Sequence, residues 1–172
     1  MKNAIIVHGR RAQPEMHWFF EEKELLEKKG HTVTVPKLTD DEYPKLKDWM
    51  EVLEKEYLDE NTVLIGHSLG AVAALRLLEK KNIKVDRVIL LAGYSKDLRK
   101  NYQAHEFVAD PFDWGKLRKL ANKFTLINEK NDPNVKFELG EEVAEKLGAE
   151  LVVSDTENHM HHFDLDIINA RL

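Results

Sequence analysis

A serine between two glycines is the residue of this sequence whose surroundings best suit covalent chemistry. Ser68 lies in the pentapeptide Gly-His-Ser-Leu-Gly at 66–70, which follows the apolar run 63–65 and precedes a run of helix-forming residues. A strand that turns sharply into a helix can hold a serine hydroxyl in a strained, exposed position, and only small neighbours leave room for that turn. No Walker pattern or Gly-x-Gly-x-x-Gly occurs, which disfavours a phosphate-binding turn. We therefore predict that Ser68 is a nucleophile.

Later segments contain candidate partners for this serine. A serine hydroxyl is a weak nucleophile at neutral pH, so it needs an imidazole as base and a carboxylate that orients the imidazole. Asp132 follows the apolar run 124–127 and is the predicted acid, with Glu129, nearer the end of the run, as the alternative. His159 follows the apolar run 151–153 and is the predicted base. The order serine, acid, histidine is the one expected when each partner follows a later strand.

The histidine-rich end of the chain allows other assignments. His161 and His162 lie within reach of the same loop and compete with His159 for the role of base. Imidazoles and carboxylates also bind divalent metals, and these histidines could form a metal site with Asp164 and Asp166. A metal site needs a fixed geometry that proximity in sequence does not supply. We therefore expect a Ser-His-Asp triad that requires no cofactor and no metal.

The negative charge that develops during acyl transfer needs two hydrogen-bond donors. We predict the backbone N–H of Leu69, directly after the nucleophile, and the backbone N–H of Arg10, in the loop after the first strand. His67 is expected to shape the turn around Ser68 rather than to carry protons. The histidines that lack a comparable context are expected at the surface: His17, His31 and His105.

The elements that must position these residues form an alternating pattern. Apolar runs alternate with amphipathic stretches along the chain, which predicts an α/β fold with helices on both faces of a parallel sheet. Four runs that are apolar, apart from Thr125, are predicted as central strands: 4–7, 63–65, 88–91 and 124–127. Segment 31–35 alternates and segment 151–153 is short, so both are predicted at the sheet edges.

Helical spacing of apolar residues fills the gaps between these strands. Helices are predicted at 15–29, closed by a glycine, at 44–58 with Pro44 in the first turn, at 69–80, and at 113–120. A further stripe, formed by Leu139, Val143 and Leu147, ends at Gly148. The stretch 94–114 has little periodicity and is predicted to pass above the sheet. Four of its aromatic residues could line an acyl pocket or could equally pack as ordinary core under a long loop: Tyr94, Phe107, Phe112 and Trp114.

Composition limits the remaining possibilities. The 172 residues suit one domain, 1–172, and 42% hydrophobic with 33% charged residues suit a folded core. Lys and Arg number 26 against 31 Asp and Glu, a net charge of −5, with no basic block for nucleic acid. No apolar run approaches the ~20 residues of a membrane span. We expect a cytoplasmic protein with a small-molecule substrate, and the absence of Cys excludes a thiol nucleophile.

Several stretches carry a resemblance to a known family. They are 65–71 around Ser68, 90–94 followed by Pro-Phe-Asp-Trp at 111–114, 131–135 around Asp132, and 140–149. Together with His8, Gly9 and Trp18, they make nearly the whole chain similar to the small serine hydrolases of the retinoblastoma-binding protein 9 and YdeN type, within the α/β-hydrolase superfamily.

The resemblance implies a six-stranded parallel sheet in an α/β/α sandwich without a large cap. It implies hydrolysis of small carboxylic esters or related acyl compounds, with the acid at Asp132 and the histidine at His159. The family usually has Gly-His-Phe around that histidine, whereas this chain has Asn158-His159-Met160. This departure leaves open an alternative from another class, a catalytically weak member that acts as a protein-binding scaffold.

Overall fold

Six parallel strands form one sheet in the computed structural model, which describes residues 2–39, 42–98 and 104–172. The strands are β1 Asn3–Val7, β2 Thr32–Thr34, β3 Thr62–His67, β4 Val85–Leu91, β5 Ala121–Glu129 and β6 Glu150–Ser154. Their order is β2-β1-β3-β4-β5-β6, and each neighbouring pair is parallel. The four predicted central strands and the two predicted edge strands are confirmed.

Burial explains why the central strands and the edge strands differ in sequence. All six residues of β3 are buried, whereas β2 alternates exposed, buried, exposed and β6 is mostly half-buried. A strand covered by helices on both faces must be apolar throughout, while an edge strand has water on one side. All carboxyl ends of a parallel sheet lie at one edge, so the segments that follow β3, β5 and β6 emerge together.

Seven helices are present in the described residues. They are α1 Phe19–Lys28, α2 Leu46–Leu53, α3 Leu69–Lys81, α4 Glu106–Ala109, α5 Trp114–Leu117, α6 Phe137–Leu147 and α7 Asp166–Asn169. One core cluster joins the sheet to α2, α3 and α6, and a second joins its opposite face to α1 and α7. This is the predicted three-layer sandwich. None of these helices is both long and apolar enough to cross a membrane.

Several helix boundaries differ from the sequence-based prediction. Helix α1 begins at Phe19 rather than at residue 15, because His17 has a φ of 55°, which a helix cannot accommodate. Helix α2 begins after Pro44, since Lys45 before it is extended. It ends at Leu53 rather than at residue 58, and Tyr57 is 70% exposed, so the apolar stripe does not continue.

The connection between β4 and β5 differs most from expectation. Helix α5 covers only Trp114–Leu117 of the predicted 113–120, because the Leu120 carbonyl already accepts the Val85 N–H beside β5. The sequence did not predict α4 or α7. Tyr94, Phe107 and Phe112 are buried in the main core. Residues 99–103 of the predicted excursion lie outside the described residues.

Candidate active site

Ser68 occupies a sharp turn between β3 and α3, as the sequence predicted. Its φ of 55° and ψ of −120° are unusual for a residue with a side chain, and its N–H donates to the Leu91 carbonyl at 2.8 Å. The two glycines make this turn possible. A Cβ on Gly70 would lie 2.2 Å from the Val7 carbonyl oxygen, and one on Gly66 would lie 2.7 Å from Ala71 Cα. We call residues 66–70 the elbow.

Two further predicted residues form a hydrogen-bonded chain with Ser68. The Ser68 hydroxyl lies 2.8 Å from His159 Nε2, and His159 Nδ1 lies 2.9 and 2.8 Å from the two carboxylate oxygens of Asp132. A carboxylate only accepts, so Nδ1 carries the proton and Nε2 is left to accept from the hydroxyl. The three residues come from the elbow and from the loops after β5 and β6, as predicted.

Asp132 is held as a carboxylate. Its side chain is fully buried, and Oδ1 also accepts the N–H groups of Asn134 at 2.7 Å and Val135 at 2.9 Å. Burial by itself would raise the pKa of Asp132, but the hydrogen bond and charge interaction with His159 and the two backbone bonds outweigh it and lower that pKa. The charged form is the one that can orient an imidazole.

Glu129, the alternative acid, has a different position. Its buried carboxylate accepts the N–H groups of three consecutive residues: Asn158 at 3.1 Å, His159 at 2.7 Å and Met160 at 3.0 Å. It also accepts the Thr156 hydroxyl at 2.6 Å. The described contacts thus join Glu129 to the backbone of the loop, whereas Asp132 contacts the ring of His159. We call residues 155–162, between β6 and α7, the base loop.

The base loop is strained, and its carbonyl groups are bound as well. His159 and Met160 have φ values of 61° and 55°, which residues with a Cβ rarely adopt. Trp18 Nε1 donates to the Met160 carbonyl, and His67 Nε2 donates to the His159 carbonyl, each at 2.8 Å. Burial, reinforced by the nearby His159, lowers the pKa of His67 well below its ordinary value, so it is a neutral donor. His67 thus supports the base loop as well as the elbow.

The other histidines of this region were assigned incompletely from sequence. The prediction that His17 lies at the surface is wrong: it is half-buried, and its ring stacks on His161 at 4.1 Å. Burial, and then repulsion from neighbouring histidines, lowers the pKa of His161 to about 4. His162 is exposed. His31 is half-buried, also against prediction, and His105 is exposed as predicted.

The alternative metal site weighed in the sequence analysis does not have the composition considered there. His162, Asp164 and Asp166 are exposed, and Asp164 accepts the Asp166 N–H. In the part of the chain that the structure describes, the group with ligand spacing consists instead of three histidines: His67, His159 and His161.

A cavity of about 340 Å³ opens beside the nucleophile. Its lining combines cationic, polar and apolar side chains: Arg10, Arg11, Met16, His17, Ser68, Leu98, Asn134, His159 and His161. None of the four aromatic residues that could have lined it does so, because three are buried in the core and Trp114 packs beside Phe112. A Cβ on Gly9 would lie 3.2 Å from Ser68 Cβ, so the loop that carries Arg10 packs against the elbow.

Sequence reasoning missed the contacts that Trp18, His17 and Glu129 make at the candidate site. The one available signal was a charged residue directly at the end of the buried strand β5, because a charge is buried only where it has partners. Those partners lie between 27 and 31 positions away in the sequence. No pattern in the sequence identifies them.

The fold and the serine at the elbow are typical of serine hydrolases, and comparison with known proteins indicates the same class. Residues 4–164 match the family described as serine hydrolase, and the chain belongs to that family. YdeN of Bacillus subtilis (strain 168) is 32% identical over 154 residues, which are 87% of this chain and 81% of YdeN. The crystal structure of the ydeN gene product superposes with a TM-score of 0.88 at 31% identity, covering 93% of this chain and 88% of that chain.

One further relative and one structural neighbour are also similar to this chain. Serine hydrolase RBBP9 of Rattus norvegicus is 30% identical over 116 residues, 66% of this chain and 61% of RBBP9. Est1E of Butyrivibrio proteoclasticus, in a structure with ferulic acid bound, has a TM-score of 0.74 at 15% identity and covers 99% of this chain and 86% of that chain. The second likeness shows a shared fold.

Proposed function

We propose that the chain hydrolyses small carboxylic esters or related acyl substrates through a triad of Ser68, His159 and Asp132. The observation that carries this proposal is the continuous set of short bonds from the Ser68 hydroxyl through His159 to Asp132, built on a strained turn. Membership of the serine hydrolase family supports the same chemistry.

The proposed reaction has two halves. His159 Nε2 takes the proton of the Ser68 hydroxyl as its oxygen attacks the acyl carbonyl, and the same proton then passes to the leaving alcohol, giving an acyl-enzyme. Water activated by His159 hydrolyses this intermediate and restores the serine. Asp132 keeps the imidazole in the required tautomer and stabilises its cationic form. The backbone N–H groups of Leu69 and Arg10 would bind the oxyanion.

The cavity suggests the size and chemistry of the acyl group. A volume of about 340 Å³ suits a small substrate, and Met16 and Leu98 supply apolar wall. Est1E with ferulic acid and a polyneuridine aldehyde esterase share the fold. Esters are therefore the first compounds to screen.

A fluorophosphonate probe tests the proposal directly. Wild-type chain, Ser68→Ala and His159→Ala are treated with the probe, and the adduct is located by mass spectrometry. We expect an adduct on Ser68 in the wild type, none in Ser68→Ala, and labelling at least 100-fold slower in His159→Ala, because the serine then lacks its base. Absence of an adduct on folded wild-type chain would overturn the triad and favour the scaffold alternative.

A further inference from the structure

Three histidine rings form a nearly equilateral triangle at the proposed active site. The ring centres of His67 and His159 are 5.1 Å apart, those of His67 and His161 are 5.6 Å apart, and those of His159 and His161 are 5.4 Å apart. We call these three residues the histidine triangle. A hydrolytic triad uses only His159 as a base, and His67 binds the His159 carbonyl, so the position of His161 in this group remains to be explained.

One nitrogen from each ring of the triangle lies within 4.8 Å of the other two. Zinc holds imidazole nitrogens at about 2.0–2.1 Å, which places tetrahedral ligands about 3.4 Å apart. Closing that distance requires rotation of the rings, and the His161 ring is half-buried. Three imidazoles suit borderline ions such as zinc, nickel and copper rather than magnesium or calcium, which prefer oxygen ligands.

We propose that the histidine triangle binds one zinc ion or a similar transition-metal ion, and that the bound ion silences the hydrolase. The silencing rests on the proposed function, whereas the binding does not. The lone pair of His159 Nε2 accepts the Ser68 proton in the triad. A metal ion that takes the same lone pair leaves the serine without its base, so metal binding and acyl transfer exclude each other.

The ring of His67 has one nitrogen available as a ligand. Among the described residues, His67 Nδ1 is a buried nitrogen with no hydrogen-bond partner. Because His67 Nε2 donates to the His159 carbonyl, Nδ1 carries a lone pair. Buried polar atoms are nearly always satisfied, and an ion or a water is a common explanation where the protein supplies no partner.

The site is open to an ion from solution. His161 lines the cavity that contains Ser68, and His17, stacked on His161, lines the same cavity. The hydrogen bonds of the triad do not involve His161, so a substitution there tests the metal affinity without removing a triad bond. His162 is the adjacent residue, it is exposed, and it lies outside the triangle.

Equilibrium dialysis of tag-free chain against zinc chloride tests the binding. We expect one ion per chain in the wild type and in Ser68→Ala, and at least a tenfold loss of affinity in His161→Gln. His162→Gln is the matched control and should retain the wild-type affinity. No bound zinc in the wild type, or an equal loss in both histidine variants, would overturn the triangle as the site.

Fluorophosphonate labelling with and without zinc tests the silencing. Each variant is compared with its own metal-free rate, so a change in basal reactivity does not enter the result. We expect zinc to slow labelling of wild-type chain at least tenfold, reversibly with a chelator, and to slow His161→Gln much less at the same concentration. Zinc that binds without slowing labelling overturns the silencing, whereas an unlabelled metal-free wild type contradicts the triad and leaves the dialysis result intact.

Discussion

The elbow and the base loop both hold residues with a Cβ at positive φ, but they do so by different means. In the elbow, Ser68 is accommodated because Gly66 and Gly70, two positions away on either side, leave room for the turn. In the base loop, His159 and Met160 are held by hydrogen bonds from partners 30 to 142 positions away. One half of the candidate site is therefore specified by neighbouring residues and the other by distant ones.

The largest expected effect is a loss of stability when a side chain is added to a glycine of the elbow. In Gly70→Ala, the new Cβ would meet the backbone oxygens of Val7 and His8 at 2.2 and 2.4 Å, and backbone at the centre of a sheet cannot move away. We expect the free energy of unfolding to fall by about 4 kcal/mol and the Tm to fall by about 10 °C. Gly115→Ala is the control, because its Cβ would lie 3.5 Å from Asp113 Oδ1, an ordinary contact. If thermal melts gave Gly70→Ala and Gly115→Ala the same Tm, the steric explanation would be contradicted.

The next effect tests the distant anchor of the base loop. Glu129→Gln places an amide NH₂ where a carboxylate oxygen accepts N–H groups of the loop, so we expect kcat to fall 10- to 100-fold, the equivalent of about 1.4–2.7 kcal/mol. KM for a small ester should change less than threefold, because Glu129 does not line the cavity.

The matched control for Glu129 is Glu157→Gln, which changes an exposed carboxylate on the same loop. It should leave kcat within twofold of the wild-type value. Measurements are made well below the Tm of each variant, which separates positioning from unfolding. If KM changed more than threefold as kcat fell, or if kcat fell equally in Glu129→Gln and Glu157→Gln, Glu129 would have a general structural role.

A smaller effect is expected from the anchor on α1. Trp18→Phe keeps an aromatic ring but removes the N–H that donates to the Met160 carbonyl. Such a bond contributes about 1 kcal/mol, so labelling of Ser68 should slow by a factor of about 3 to 5. Trp114→Phe, in the connection between β4 and β5, should leave the rate unchanged. If both variants label at the wild-type rate, the Trp18 bond does not position the base.

The last effect is the smallest on the candidate site itself, because it concerns stability rather than the reaction, and it involves α7, which follows the base loop and packs on α1. Asn169 donates to the buried Glu22 carboxylate at 3.0 Å. Burial raises the pKa of Glu22 to about 7, although the Asn169 bond and Lys29 partly offset it. At this position the folded state thus binds a proton more tightly than the unfolded state, so the contribution of Glu22 to stability falls as pH rises from about 4.5 to about 7 and then levels off. The lowered pKa values of His67 and His161 act in the opposite direction.

Glu22→Gln removes that charge. At pH 8 it should raise the free energy of unfolding by about 1–3 kcal/mol relative to the wild type, and this gain should vanish as pH falls towards 4.5, where Glu22 is protonated in both states. Glu24→Gln, an exposed change on the same helix, is the control and should show no such gain. Denaturant unfolding at pH 5 and pH 8 measures both effects, and a parallel pH dependence in all three chains would remove Glu22 as its source.

The sequence predicted the sheet and the elbow because their signals are local. Four apolar runs became the four central strands, and the glycines beside Ser68 marked its turn. Helix ends were predicted less well, since one residue such as His17 at positive φ can end a helix that periodicity would continue. The sequence left the aromatic residues of 94–114 open between core and pocket because both positions have the same composition, and three of the four lie in the core.

The sequence by itself determined a parallel α/β fold, a serine in a strained turn, and a short set of acids and histidines near the later strand ends. Only the tertiary structure decided among them. Asp132 reaches the ring of His159 while Glu129 binds the backbone beneath it, and His161 joins a triangle with His67 rather than with its neighbour His162. The physical reason is that hydrogen bonds depend on distances of a few ångströms, which separation along a chain does not fix.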